Sequence, residues 1–177
     1  VGQPMISWSI EAALKSECFK RVIVSTDDDE ISEISQRYGA EVPFKRLASL
    51  SDDYTGTIPV IKSAINWLEM RNEKIDYVCC LYPTAPFIEV SYLKEGLEKL
   101  IENNASYSIS VTSFPYPIQR AIKFTKNERL KMFFPENINK RSQDLEKSFH
   151  DAGQFYWGTL NAWLETENIL DEGKAFK

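Results

Sequence analysis

An α/β fold with a mainly parallel sheet is what this sequence predicts. Three observations carry the prediction. Apolar residues recur at helical spacing in several separate segments. Short apolar runs, read as strands, stand between those segments. Most of these runs give way to loops rich in Asp, Thr or Pro that lead into the next helix. Strands alternating with helices of this length mean βαβ units, and βαβ units mean parallel pairing.

In order, Ile6, Ile10, Ala13 and Leu14 mark a first helix, with Pro4 suited to its start. Residues 21–25 (Arg-Val-Ile-Val-Ser) form a strand that stops at Thr26-Asp27-Asp28-Asp29-Glu30. Asp27 with Glu30 three residues on has the pattern of a capping box for a helix carrying Ile31, Ile34 and Tyr38, closed by Gly39. Residues 40–44 are a weaker strand, and Ile58, Ile61, Ile65 and Leu68 mark the next helix. Residues 77–81 are a strand, followed by a proline-bracketed loop and a helix with Val90, Leu93, Leu97, Leu100 and Ile101. Residues 107–112 are another strand. From 114 to 149 the rhythm breaks into prolines and charged stretches, an excursion from the sheet read as a flap or a dimer arm. The chain returns in a strand at 154–157 and a helix with Leu160, Trp163 and Leu164. A parallel sheet rarely begins with a helix, so a first strand is expected before Val1, and Lys174 to Lys177 are expected to stop without a closing strand.

A length of 177 residues fits one domain, 1–177, with 114–149 as an inserted element. A hydrophobic content of 43% and a charged content of 27% are those of a globular protein with a real core. A net charge of −5, without a Lys/Arg cluster, argues against nucleic-acid or anionic-membrane partners. No run approaches the length of a membrane span. Cys18, Cys79 and Cys80 are an odd number without zinc-ligand spacing. They read as core hydrophobes of a reducing, cytoplasmic setting.

Ligands of open α/β sheets bind beyond the carboxyl ends of the strands. Three segments fall there. Ser25-Thr26-Asp27-Asp28 opens a helix, where Asp28 and Asp29 read first as caps. In Leu81-Tyr-Pro-Thr-Ala-Pro-Phe87 two prolines fix the backbone just beyond a strand read as buried, so that Tyr82 and Thr84 are held rigidly at its mouth, or the segment is a mere turn. His150-Asp-Ala-Gly153 enters the last strand. Between the first two lie Arg46 and the stretch Leu50-Ser-Asp-Asp53-Tyr-Thr-Gly-Thr57. Its hydroxyls and free amides at a helix start suit a nucleotide, or else Thr57 or Asp53 simply caps the helix. The densest polar stretch runs from 139 to 157. It carries the only histidine, His150, with Arg141, Gln143, Asp144, Asp151 and Gln154, as a pocket for a polar, anionic small molecule would need. His150 reads as a structural histidine or sugar-contacting donor, with general base as the other role. There is no GxxxxGK[ST], no GxGxxG and no Ser/His/Asp or Cys/His constellation.

At these residues the chain resembles the cytidylyltransferases that activate nine-carbon α-keto acid sugars, the acylneuraminate enzymes and, more closely, the pseudaminic branch. The resemblance runs from Gly2-Gln-Pro-Met-Ile6 through Val22-Ile-Val-Ser-Thr-Asp27, Tyr38-Gly-Ala-Glu41, Arg46 and Leu50-Ser-Asp-Asp53 to Leu81-Tyr-Pro-Thr-Ala-Pro86. Where sialic acid enzymes carry Gln-Pro-Thr-Ser-Pro, this chain has Tyr82, which implies a different sugar. The pairing of Arg141 to Leu145 with His150 to Gly153 is similar to the pseudaminic pattern. The resemblance implies a Rossmann-like, three-layer nucleotide-diphospho-sugar transferase fold and the joining of CTP to an acidic nine-carbon sugar. It implies Arg46, Thr55 and Thr57 on the nucleotide side. On the sugar side it implies Tyr82, Thr84, Arg120, Arg141, Gln143, His150, Asp151, Gln154 and Tyr156, with Arg141 or Arg120 meeting the sugar carboxylate. A homodimer through 114–149 and Mg²⁺ are implied as well, with the family's phosphate loop falling before Val1 and its metal-holding motif after Lys177, so that this stretch alone is expected to be inactive. Sialic, legionaminic or deoxy-octulosonic acid as the sugar, and a non-catalytic binding or dimerisation module, are the competing expectations.

Overall fold

The computed structural model describes residues 2–165, 168–172 and 174–176, with side chains through residue 170. Its helices are α1 (Met5–Ser16), α2 (Asp29–Arg37), α3 (Thr57–Glu69), α4 (Val90–Glu102), α5 (Leu160–Glu165) and α6 (Ile169–Glu172). Its strands are β1 (Tyr77–Leu81), β2 (Tyr107–Ser113), β3 (Ile122–Phe124), β4 (Leu130–Met132), β5 (Phe149–Thr159) and β6 (Lys174–Phe176). The chain divides into two units. One runs up to Ser110 and includes Gly153–Phe176; the other is Val111–Ala152.

In the first unit a four-stranded sheet has the order β1-β5-β2-β6. β5 lies antiparallel to β1, from Tyr77 opposite Thr159 to Leu81 opposite Phe155. β6 runs parallel to β2, Ser108 opposite Lys174 and Ser110 opposite Phe176. The sheet is therefore mixed, and Lys174–Phe176 is the closing strand that the sequence led us not to expect. Three residues are too few to show a period, whereas the open backbone edge of β2 gives them a partner.

Residues 22–26 and 41–45 do pair in parallel, but only through two bridges, Ile23 to Glu41 and Thr26 to Lys45. The backbone bonds Val24 N–H to Glu41 O at 2.9 Å and Glu41 N–H to Val22 O at 2.8 Å hold the first. Pro43 has no N–H to give, so the predicted continuous strands are interrupted there.

Leu93, Leu100, Phe155 and Trp157 form the core with Ala12 and Ala105. Each large member contributes about 1.5–3 kcal/mol by leaving water. The Trp157 indole stacks on Phe19 with ring centres 4.9 Å apart and donates its N–H to the Leu93 carbonyl at 3.0 Å. Gly96 lets α4 approach β5 this closely, since a methyl there would stand 2.8 Å from the Phe155 ring. On the neighbouring strand Cys80 is buried, and burial pushes its thiol up to about 12. Such a thiol is a core hydrophobe and not a redox group.

The sequence left both caps open. Asp28, not Asp27, caps α2, its carboxylate accepting the Ile31 N–H at 2.8 Å. Asp27 instead meets Arg46 at 3.0 Å. α3 starts after Gly56 with no side-chain cap, so neither Thr57 nor Asp53 serves that purpose.

The second unit is built on the antiparallel hairpin β3–β4, Ile122 opposite Met132. Phe114 N–H donates to the Ser148 carbonyl at 3.1 Å, tying the two ends of the excursion together. Ile122, Phe124, Leu130 and Phe133 are exposed apolar side chains of this hairpin region. No helix among the described residues is long and apolar enough to cross a membrane.

Candidate functional site

Beyond the carboxyl end of β1, the loop Tyr82-Pro-Thr-Ala-Pro stands where the sequence places it, and its first residue is the most constrained. Tyr82 N–H donates to the Gln154 carbonyl at 2.9 Å, adding a rung to the β1–β5 ladder. The Tyr82 carbonyl accepts the Ser9 hydroxyl at 2.8 Å and the Ala85 N–H at 3.3 Å. Its phenol oxygen lies 3.3 Å from the Thr57 hydroxyl oxygen. Its ring meets Tyr156 edge-on, with centres 5.5 Å apart. The structure thus brings together Thr57, read on the nucleotide side, and Tyr82 and Tyr156, read on the sugar side. Thr84 stands exposed on the same loop.

The nucleotide-side residues lie on the stretch that leads into α3. Asp52 Oδ1 accepts the Tyr54 N–H at 2.8 Å and the Thr55 N–H at 2.6 Å, closing a tight turn. Those two backbone donors, helped by the Thr55 side chain, hold the Asp52 carboxyl below the usual carboxylate range. Both the amide and the hydroxyl of Thr55 are thus turned toward Asp52, and a ligand would meet the hydroxyl as an acceptor. Arg46 donates to the Ser51 hydroxyl at 3.0 Å, to the Ser25 carbonyl at 3.5 Å and to Asp27. Asp27 is held below its ordinary value first by its own backbone N–H and then by Arg46. Arg46 thus ties the 25–28 loop to the 46–51 loop, and any nucleotide contact is made by a guanidinium already engaged.

Arg46, Thr55, Thr57, Tyr82 and Thr84 are among the residues that line a cavity of about 910 Å³ in the first unit. Ile6 and Ile10 on α1, Val60, Ile61 and Ala64 on α3, and Val78 on β1 supply apolar wall, and Lys20, Arg21, Glu73, Lys74 and Asp76 line the cavity as well. The size is that of a ligand site. Apolar wall offers a triphosphate nothing, so recognition of a charged ligand belongs to the polar and charged side chains of the lining.

The remaining sugar-side residues are in the second unit, apart from Gln154, which is half-buried on β5 beside Tyr82's amide. Arg141 is exposed and ion-paired with Asp144, three residues on, at 2.7 Å. Arg120 donates to the Ile138 carbonyl at 3.3 Å and to the Lys140 carbonyl, and its Nε has no partner. Among the described residues Arg120 has no carboxylate partner. Gln143 is exposed on the short turn of helix Ser142–Asp144. The His150 ring stands edge-on to Phe114 at 4.7 Å, with Nδ1 2.8 Å from the Asp151 carbonyl. A carbonyl only accepts, so Nδ1 carries the proton of the neutral ring and Nε2 is left as an acceptor. Asp151 is exposed on the same strand.

Among the described residues no three His, Cys, Asp or Glu side chains gather to hold a metal ion. Sequence reasoning missed Ser9, a small residue on an otherwise apolar helical face whose partner lies 73 positions away.

A sheet-and-helix unit with hydroxyls, an arginine and an open helix start gathered at one end of its strands is that of a nucleotide-handling transferase. The comparisons with known proteins say which. Residues 1–171 match the family described as Cytidylyltransferase, and the chain belongs to that family of nucleotidyltransferase enzymes. It is 47% identical over 170 residues to a Campylobacter jejuni subsp. jejuni serotype O:2 protein named pseudaminic acid cytidylyltransferase, covering 96% of this chain and 73% of the relative. It is 32% identical over 176 residues to the CMP-N,N'-diacetyllegionaminic acid synthase of Legionella pneumophila subsp. pneumophila, covering 99% of this chain and 72% of that protein. Among solved structures, CMP:2-keto-3-deoxy-manno-octonic acid synthetase complexed with CTP superposes with a TM-score of 0.64 at 15% identity, over 97% of this chain and 72% of that one. The nucleotide-diphospho-sugar transferase fold read from the sequence is the fold observed.

Proposed function

We propose that the protein joins CTP to pseudaminic acid, a nonulosonic acid, giving the CMP-sugar and pyrophosphate. The observation that carries this is the 47% identity over 170 residues to a relative of that name. The residues at the site support it. The anomeric hydroxyl oxygen of the sugar attacks the α-phosphorus of CTP and loses its proton, while the bond from that phosphorus to the pyrophosphate oxygen breaks. Such a displacement is accelerated mainly by holding the two reactants in line and by stabilising charge on the phosphates.

In this reading Thr55 and Thr57, with Arg46 fixing the loop behind them, bind the nucleotide. For the sugar, the first unit offers Tyr82, Thr84, Gln154 and Tyr156; the second unit, taken by itself, offers Arg120, Arg141, Gln143, His150 and Asp151. Arg120 is the better partner for the sugar carboxylate. Its charge faces only carbonyl oxygens, whereas Arg141 already has Asp144. A guanidinium fork fits two carboxylate oxygens. The Thr57–Tyr82 contact is where the two substrates would meet. The exposed apolar side chains around β3 and β4 support a homodimer through the second unit. Reduced cysteines support a cytoplasmic setting. Mg²⁺ belongs to the proposal as the counter-ion of the triphosphate.

The test is pyrophosphate release by the full-length protein with CTP and Mg²⁺, offered pseudaminic, legionaminic or sialic acid. Turnover confined to pseudaminic acid supports the reading. Turnover with another acid alone keeps the family and replaces the sugar.

A further inference from the structure

We propose that Ser9 is a positioning residue for sugar recognition, holding Tyr82 at the angle at which its phenol meets Thr57 and the sugar. The inference rests on the functional reading above and goes beyond it. It assigns a role to α1, a helix that contributes none of the proposed substrate contacts.

The first observation is where the Ser9 hydroxyl goes. A serine on a helix ordinarily returns its hydroxyl to a carbonyl of the preceding turn, three or four residues back. The other buried serines with recorded bonds on these helices do so. Ser7 donates to Pro4, Ser16 to Ala13 and Ser35 to Ile31, at 2.7, 2.6 and 2.7 Å. Ser9, only 3% exposed, instead donates across the fold to the Tyr82 carbonyl at 2.8 Å. Helix stability alone would favour alanine here, so the hydroxyl serves the loop and not the helix.

The second is what the bond controls. Tyr82 precedes Pro83, so its backbone is confined to extended conformations, but its carbonyl can still swing about ψ. The Gln154 carbonyl fixes the amide on one side of Tyr82. Ser9 fixes the carbonyl on the other, together with a longer bond of 3.3 Å from Ala85. With both peptide groups held, the Cα–Cβ bond has one direction, and the contacts with Thr57 and the Tyr156 edge select the ring's rotamer. Without Ser9 the carbonyl keeps only the long turn bond, and the ring gains freedom at the point where the two substrates are proposed to meet. A displacement of about 1 Å there is enough to cost up to about a hundredfold in rate.

The test uses Ser9→Ala and Ser9→Thr in the full-length protein, with the sugar and CTP varied separately. Ser9→Ala is expected to raise the sugar KM about fivefold or more, leave the CTP KM within about twofold and lower discrimination between pseudaminic and sialic acids. Ser9→Thr, which keeps the hydroxyl, is expected to recover most of the loss. A second readout needs no substrate. In protein carrying ¹³C-labelled tyrosine rings, the Tyr82 signal, assigned by its loss in Tyr82→Phe, should shift or broaden in Ser9→Ala and return in Ser9→Thr. An equal loss for both substrates, or unaltered kinetics with an unaltered Tyr82 signal, overturns the proposal. If the wild-type protein turns over none of the acids, the functional reading fails on its own. The tyrosine spectrum then decides alone whether Ser9 holds Tyr82.

Discussion

Replacing Tyr82 with Phe removes one oxygen atom and leaves the rest of the loop held. The ring keeps its edge-on contact with Tyr156 at 5.5 Å, and the backbone keeps its bonds to Gln154 and Ser9. The free protein loses only the 3.3 Å contact with the Thr57 hydroxyl. A neutral hydrogen bond contributes about 0.5–1.5 kcal/mol, and one this long belongs at the lower end. In a chain of 177 residues a loss of about 0.5 kcal/mol lowers Tm by about 1–2 °C. The bound state loses more, because a sugar donor or acceptor that met the phenol is left buried and unpaired, at about 1–3 kcal/mol. The kcat/KM for pseudaminic acid should therefore fall roughly 5- to 150-fold, while the KM for CTP changes by less than about twofold. Pyrophosphate release with each substrate varied in turn, beside a calorimetric Tm, separates the two effects. A normal kcat/KM for the sugar with a Tm lowered by more than expected would refute the reasoning, since the phenol would then be structural.

Three further outcomes follow from the geometry. Arg120→Ala should raise the sugar KM at least about tenfold more than Arg141→Ala, because Arg141 is already neutralised by Asp144; steady-state kinetics with the sugar varied would show the reverse order if Arg141 holds the carboxylate. Gly158→Ala should destabilise the first unit by about 2–3 kcal/mol, lowering Tm by roughly 5–10 °C. The added methyl would stand 2.5 Å from Trp163 Nε1, whose N–H bonds to the Val78 carbonyl at 3.0 Å. The third concerns acid stability. The hydrogen bond from Arg21, helped by its charge, holds the Glu41 carboxyl below its ordinary 4.5 in the folded protein. A depressed carboxyl stabilises the fold above the unfolded-state value and loses that contribution as pH falls through the folded-state value. Wild-type Tm should drop on acidification below about pH 4.5, and Glu41→Gln should show a flatter Tm over the same range; parallel Tm profiles would remove Glu41 from the account.

The parts of the fold legible in the sequence are those whose cause is local. Ile58, Ile61, Ile65 and Leu68 announce α3, and Leu93, Leu97 and Leu100 announce α4, because a buried stripe imposes a helical period. Tyr77–Leu81 reads as a strand from its short apolar run, although it lies at the edge of the sheet with only Cys80 fully buried, and the prolines after it mark the loop that carries Tyr82. The cap of α2 was displaced by one residue because Asp27, Asp28 and Asp29 offer the same carboxylate, and only the position of Arg46 decides which is diverted. Residues 40–44 read as strand from their composition, yet Pro43 removes the donor a ladder needs. β6 was invisible because three residues have no period and take their shape from β2. Of the candidate site, Tyr82, Thr57 and Tyr156 were named from sequence, but their contact was not, and neither was Ser9. Bonds between residues 25 or 73 positions apart leave no local trace.

The central claim is that one phosphodiester forms from CTP and pseudaminic acid. The ³¹P spectrum of the reaction mixture tests it most directly. The account predicts a new phosphodiester resonance growing in step with pyrophosphate, only when the full-length protein, CTP and pseudaminic acid are all present. Pyrophosphate without a diester, or a diester formed with sialic acid and not with pseudaminic acid, would contradict it.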